Sequence, residues 1–179
     1  VKPVYVLDAS AWVKRYKEEE GSERVDKLFM QAERDQADLC LLSTSYYEVY
    51  WAIQKAIRTL QNRSSPERPQ MRFPIPLLAQ KLDEDWNLRQ ELSKLVPELI
   101  ASWSLDSIDS DVLSFIKKYP VGPNDALILT IVLKLQQALA EQNRQLFFVG
   151  SDEELNEAIS QLIGKRYVIN PEQEDETPN

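Results

Sequence analysis

The sequence predicts a three-layer α/β/α domain built on a mostly parallel central sheet, and three observations predict it. Short apolar runs at 4–7, 39–42 and 146–149 end in polar turn signals, the form taken by strands buried on both faces. Longer stretches with helical periodicity separate them, and strands that alternate with helices assemble into parallel sheets covered on both sides. The chain has 179 residues, 43% of them apolar, which suits one domain with a sizeable core.

The first run, Val4-Tyr5-Val6-Leu7, stops at Asp8, and Ser10 follows two places on. It predicts a strand and then a helix over about 10–17 that carries Lys14, Arg15 and Lys17. Glu18-Glu19-Glu20-Gly21 breaks that helix, and Ser22 is placed to cap a second one over 23–34, where Val25, Leu28, Phe29 and Ala32 share a face. Residues 39–42 form the next strand. Ser43-Thr44-Ser45 opens a long helix to about 61, with Tyr46, Tyr50, Ile53, Ile57 and Leu60 as its apolar stripe. Residues 62–76 are proline-rich and net basic through Arg63, Arg68 and Arg72 against Glu67, and read as a loop.

A helix over 77–96 follows, with Leu78, Leu82, Trp86, Leu92 and Leu95 expected against the core or a second subunit. Residues 62–100 thus make a loop-plus-helix insertion in a single domain of residues 1–170. The remaining expectations are a short strand at 102–105, a helix at 109–118 and a helix from Gly122-Pro123-Asn124-Asp125 to about 141. Proline is well tolerated in such a first turn. A strand at 146–149, a helix at 152–163 and a last strand at 167–169 complete the pattern. Residues 171–179 are acidic, lack a core-forming pattern and are expected to be disordered.

Composition removes whole classes of chemistry. There is no histidine, which excludes His-dependent triads, His acid–base catalysis and His-liganded zinc. The lone cysteine, Cys40, rules out thiolate zinc sites and Cys-pair redox chemistry, so any bound metal is held by oxygen, as Mg²⁺ or Mn²⁺ would be. The net charge of −8 argues against broad nonspecific nucleic-acid binding but allows a local basic groove. No apolar run approaches the roughly 18 residues of a membrane span. No signal-peptide pattern is visible, so a reducing cytoplasm is the expected location.

Four acids stand at strand-to-helix junctions or in first helical turns: Asp8, Glu48, Asp125 and Asp152. Each has a local explanation. Asp8 suits an Asx turn, Ser45 and Glu48 have capping-box spacing, Asp125 favours a helix dipole, and Asp152 or Ser151 can cap. Taken together they suggest more. Parallel strands bring their carboxyl ends to one edge, where ligands bind. Two carboxylates ~4 Å apart repel by roughly 4 kcal/mol at an effective dielectric near 20. Four acids there need protons or a divalent cation, and the cation brings Lewis acidity and an activated water.

Four segments carry a resemblance. Val6-Leu7-Asp8-Ala9-Ser10-Ala11, Ser43-Thr44-Ser45-Tyr46-Tyr47-Glu48, Asn124-Asp125-Ala126-Leu127-Ile128-Leu129 and Phe148-Val149-Gly150-Ser151-Asp152 resemble, in order, the four acidic motifs of PIN domains. The likeness runs from residue 4 to about 169, is to the VapC-type ribonuclease toxins in particular, and leaves the middle of the chain unmatched. It implies a Mg²⁺- or Mn²⁺-dependent endoribonuclease, often a homodimer and often silenced by a cognate antitoxin. By position it makes Asp8, Glu48, Asp125 and Asp152 the metal-binding acids. Ser10 and Ser151 become neighbours able to bond a phosphate, a metal ligand or water.

The basic residues offer RNA contacts: Lys14 and Arg15 beside the first motif, and Arg63, Arg68 and Arg72 in the loop. The competing readings are a solvated helix face and a soluble loop. Tyr46, Tyr47, Tyr50 and Trp51 can stack on bases, though core or dimer contacts fit their spacing better. Two rival functions stand beside RNA hydrolysis. Aspartyl phosphoryl transfer is disfavoured because Ser10 replaces the second acid of an Asp-x-Asp pair. A non-catalytic RNA- or protein-binding module is the other.

Overall fold

A computed structural model describes residues 1–62, 66, 68–89 and 105–173. Strands β1 (Val4–Leu7), β2 (Asp38–Leu41), β3 (Leu146–Val149) and β4 (Val168–Ile169) form one sheet in the order β2-β1-β3-β4, every pair parallel. The predicted class is therefore the observed one. Alternation along each strand feeds two cores. Val4, Val6, Cys40, Leu146 and Phe148 face one, and Leu7, Leu39, Leu41 and Val149 face the other. Burial pushes the Cys40 thiol up to about 12, which leaves it an inert apolar filler.

Seven helices are described, in chain order α1 (Ala9–Trp12), α2 (Ser22–Glu33), α3 (Ser43–Gln61), α4 (Leu78–Leu88), α5 (Leu105–Lys118), α6 (Pro123–Glu141) and α7 (Glu153–Ile163). The first core is closed by Leu129, Val132, Leu135 and Leu139 of α6, by Leu155 and Ile159 of α7, and by Phe115 of α5 at its margin. The second is closed by Trp12, by Val25 and Phe29 of α2, by Val49 and Ile53 of α3, and by Leu78 and Leu82 of α4. These are the outer layers.

Several boundaries depart from the sequence reading. The helix expected over 10–17 is α1 followed by a tight turn at Val13–Arg15, because the amides of Tyr16 and Lys17 both return to the Val13 carbonyl (3.0 and 3.1 Å). The chain then leaves to pair Lys17 with Met71. Ser22 does not cap α2. Its Oγ accepts from the Glu19 amide (2.9 Å) and donates to the Lys17 carbonyl (3.0 Å), closing the turn before the helix. Gly21 is the N-cap at φ 83°, and a Cβ there would lie 2.3 Å from the Pro171 carbonyl oxygen.

The buried stripe of α3 is Ser45, Val49, Ile53 and Ala56, and Tyr50 is exposed. Of the expected stripe, Ile53 is buried and Tyr46 and Ile57 pack against the core, while Val49 is buried where Tyr50 was expected. Leu105, expected to end a strand, instead opens α5, and residues 102–104 lie outside the described residues. The helix expected to reach residue 96 stops at Leu88, where Arg89 is extended; Leu92 and Leu95 lie outside the described residues. The segment expected as a free tail begins docked. Pro171 is buried, and Glu172 pairs with Lys14 at 2.6 Å.

A buried charged cluster fastens residues 71–88 to α1 and α2. Asp85, 1% exposed, accepts from the Tyr16 hydroxyl (3.0 Å) and Arg15 Nε (3.3 Å) and pairs with Lys81 (3.1 Å). Arg15 also pairs with Asp26 (2.8 Å) and Glu33 (3.4 Å) and lies over the Phe29 ring. Burial alone would lower the Arg15 pKa, but bonds and charge from Asp26 and Asp85 outweigh it and hold the guanidinium above its ordinary value. Burial, reinforced by Asp85, pushes the Tyr16 hydroxyl far up, so it stays a neutral donor. Such a cluster is tolerated in a core because each member has partners.

Candidate active site

From β1 the chain reaches β2 on one side, then returns to β3 on the other, so the strand order reverses between β1 and β3. A crevice opens outside the carboxyl ends of the strands at such a point. The register aligns Leu7 with Leu41 and Val149, so Asp8 and Gly150 are the first residues past the sheet edge. The Asp8 amide donates to the Val149 carbonyl at 2.9 Å, fixing this residue to the rim.

Asp8 is the N-cap of α1. Its Oδ2 accepts from the Ser10 amide (3.2 Å) and the Ser10 hydroxyl (2.7 Å), while Ser10 Oγ accepts from the Ser151 amide (2.9 Å). Ser10 therefore ties the first segment to the fourth. Asp8 Oδ1 takes no hydrogen bond from the described residues, which leaves one oxygen of a 7%-exposed carboxylate unengaged. The turn after β3 is braced by Asn156 Nδ2 on the Gly150 carbonyl (2.8 Å). Asp152 caps α7 by accepting from the Leu155 amide (2.8 Å).

Glu48 arrives from a different direction. The capping box expected from Ser45 and Glu48 does not form, because α3 starts at Ser43 and Ser45 is already inside it, its Oγ buried without a partner. Glu48 instead accepts from Asn124 Nδ2 (3.3 Å), linking α3 to the start of α6. Asp125 caps α6 by accepting from the Gly122 amide (3.2 Å), beside Pro123 in the first turn.

The electrostatics couple two of these acids to the others. Partial burial raises the Glu48 pKa, and the charges of Asp8 and Asp125 raise it further against the bond from Asn124. Partial burial likewise raises Asp125; the Gly122 amide opposes this, and Asp152, Asp8 and Glu154 add to it. Glu48 and Asp125 thus feel the charge of acids from other stretches of the chain. Among the described residues, no three acids stand close enough to hold a metal ion as they are. The donor type, carboxylate oxygen throughout, suits a hard divalent cation.

The family model for the PIN domain matches residues 5–151, from the second residue of β1 to the serine before Asp152. The chain belongs to the PIN-domain family. No curated protein matches it. PIN domains as a group are associated with nuclease activity, and in this PIN domain the matched stretch holds Asp8, Ser10, Glu48, Asp125 and Ser151. Among the described residues no helix is long and apolar enough to cross a membrane.

Three of the cations expected at RNA are engaged inside this PIN domain. Lys14 is buried and pairs with Glu172 and Glu19. Arg15 sits in the Asp85 cluster, and Arg72 pairs with Glu18 (3.1 Å) and Asp26 (2.5 Å). Lys14 and Arg15 are therefore not a solvated helix face: both are buried and already have carboxylate partners. Arg68 is exposed, and Arg63 lies outside the described residues. Two acids escaped the sequence reading. Glu154, in the first turn of α7, couples to Asp125, and its only signal was its place two residues after Asp152. Glu172, which leaves β4 at the same edge, is held below the usual carboxylate range by the bond and charge of Lys14, against the effect of burial.

Proposed function

We propose that this PIN domain is a Mg²⁺- or Mn²⁺-dependent endoribonuclease, with Asp8, Glu48, Asp125 and Asp152 as the acids that hold the ion. One observation carries the reading: beyond the effect of burial, the charge of Asp8, at the strand-order reversal, raises the pKa of both Glu48 and Asp125, and Asp152 adds to it at Asp125, although these acids lie far apart in sequence. Carboxylates held together against their mutual repulsion favour a cation among them. A divalent ion bound there would supply Lewis acidity and a nucleophilic water at neutral pH, a function that otherwise falls to histidine, which this chain lacks.

The chain's own residues have distinct tasks. Asp8 is the anchor, since Ser10 fixes Oδ2 and leaves Oδ1 to a ligand. The Ser10–Ser151 bond holds the β1 and β3 ends in register while a substrate phosphate binds. Asn124 ties the exposed Glu48 to the start of α6. The reading extends to residues 1–170 as one catalytic domain, with a cytoplasmic location, a homodimer and the role of a VapC-type toxin paired with an antitoxin. The test is cleavage of a structured RNA by purified protein with Mn²⁺, alongside Asp8→Asn. Cleavage lost in a variant that keeps its far-ultraviolet spectrum supports the reading; equal cleavage by both proteins overturns it.

One observation favours a second reading. No three described acids form a ligand cluster as they stand, which suits a PIN-fold module that binds RNA or protein without cutting. A saturable Mn²⁺ site in wild type rejects that alternative.

A further inference from the structure

We propose that the outer face of α3 is a track for single-stranded RNA, in which bases stack on Tyr47, Tyr50 and Trp51 and the backbone passes Lys55 and Arg68. The proposal takes its direction from the nuclease reading, because the track starts at Glu48. Tyr47, Tyr50 and Trp51 are 72%, 46% and 59% exposed, large rings left in water on a helix whose buried stripe is made of smaller residues. Their spacing of i, i+3 and i+4 puts them on one face. Glu48, Trp51 and Lys55 follow one another along that helix, so Lys55 lies about 10 Å of helix rise beyond the acid.

The face leads into a groove of about 630 Å³ between α3 and residues 68–70, lined in part by Lys17, Lys55, Ala56, Thr59 and Arg68. Its carboxylates are already matched, Glu19 by Lys17 and Lys14 and Glu18 by Arg72. Lys55 and Arg68 have no carboxylate partner among the described residues. Arg58 lies 5.3 Å over the Trp51 ring and adds a cation beside the stacking surface.

Charge decides between RNA and a second copy of the chain. A protein of net charge −8 repels RNA at long range, so a site for it needs local unmatched cations, and this face has them. A two-fold contact through the same face would set those cations against their own copies. Stacking is also indifferent to sequence and adds affinity without further charge, which suits a surface with three rings and few cations.

The test is fluorescence anisotropy of a labelled oligouridylate in EDTA, where binding is read without cleavage. Trp51→Ala and Tyr47→Ala should each weaken binding about 5- to 150-fold, and Trp51→Phe should restore most of it. Lys55→Gln with Arg68→Gln should flatten the slope of log affinity against log salt by about 1.4. Melting temperatures should hold, since all four side chains are exposed. Wild type that fails to bind, or affinities unchanged within twofold in the alanine variants, overturns the track. So does a Trp51→Ala protein that loses self-association while keeping its RNA affinity. Mn²⁺-dependent cleavage by the same proteins separates the two ideas. Binding lost on Trp51→Ala with no cleavage by wild type keeps the track and ends the nuclease reading; unchanged binding with Asp8-dependent cleavage does the reverse.

Discussion

Replacing Asp85 by alanine should be among the most damaging single changes in this protein. The carboxylate is 1% exposed and serves the Tyr16 hydroxyl, Arg15 and Lys81 at once. Its loss leaves the Tyr16 hydroxyl buried without that acceptor and Arg15 with its charge less matched. Removing one partner of a buried ion pair costs about 3–5 kcal/mol. Arg15 keeps Asp26 and Glu33, and Lys81 keeps Glu84, so the lower part of that range, about 3–4 kcal/mol, applies. For a chain of this size each kcal/mol moves the melting temperature by roughly 2–4 °C, which gives a fall of about 6–16 °C. Asp85→Asn keeps an acceptor for Tyr16 and should lose less, about 1–2 kcal/mol. Thermal unfolding followed by circular dichroism reads both. A melting temperature for Asp85→Ala within about 2 °C of wild type, measured where unfolding is reversible, would refute the assignment of Asp85 as the hub.

Three further outcomes follow from the same physics. Glu48→Gln and Asp125→Asn should stabilise the metal-free protein, the opposite sign to Asp85, because partial burial first and neighbouring acids second disfavour both charges by more than the Asn124 and Gly122 bonds favour them. Their folded pKa values are raised, so the folded state keeps their protons longer; their destabilising effect is absent at low pH and develops as pH rises through the raised values. The stability gained by the double variant should therefore grow from pH 4 to pH 7 in urea titrations, and a gain that shrinks over that range would contradict the coupling. Gly21→Ala should destabilise and release Pro171 and Glu172, read as faster proteolysis of the carboxyl-terminal residues, because φ of 83° and the nearby Pro171 carbonyl both exclude a Cβ. Ser10→Ala leaves the Ser151 amide without its acceptor and should cost about 1–3 kcal/mol, measured by chemical unfolding.

The sheet was legible because its strands are apolar on both faces, so Val4–Leu7 and Leu146–Val149 declare themselves without knowledge of their neighbours. The same runs located Asp8 and the turn that holds Ser151, since a strand that ends abruptly tells where the rim is. The face of α3 was legible only in part. Ile53 is buried and Tyr46 and Ile57 pack against the core as expected, but the rings outweigh Val49 and Ala56 in any periodicity reading, and it is these two, not Tyr50, that are buried. The burial of two cations was not legible for a different reason. Besides nearer acids, Arg15 and Lys14 pair with Asp85 and Glu172, 70 and 158 residues away, and no local pattern reports a partner so distant. Glu48 shows the limit of spacing rules, since Ser45-x-x-Glu48 fits a capping box but the N-cap is Leu42, three residues earlier.

The most direct test of the central claim is calorimetric titration of Mn²⁺ into wild type and into Asp8→Asn, Glu48→Gln, Asp125→Asn and Asp152→Asn. One saturable site in wild type, weakened at least tenfold by each substitution, is the predicted result. A Mn²⁺ affinity that stays the same when Glu48 or Asp125 loses its charge would contradict the claim that these acids share one ion.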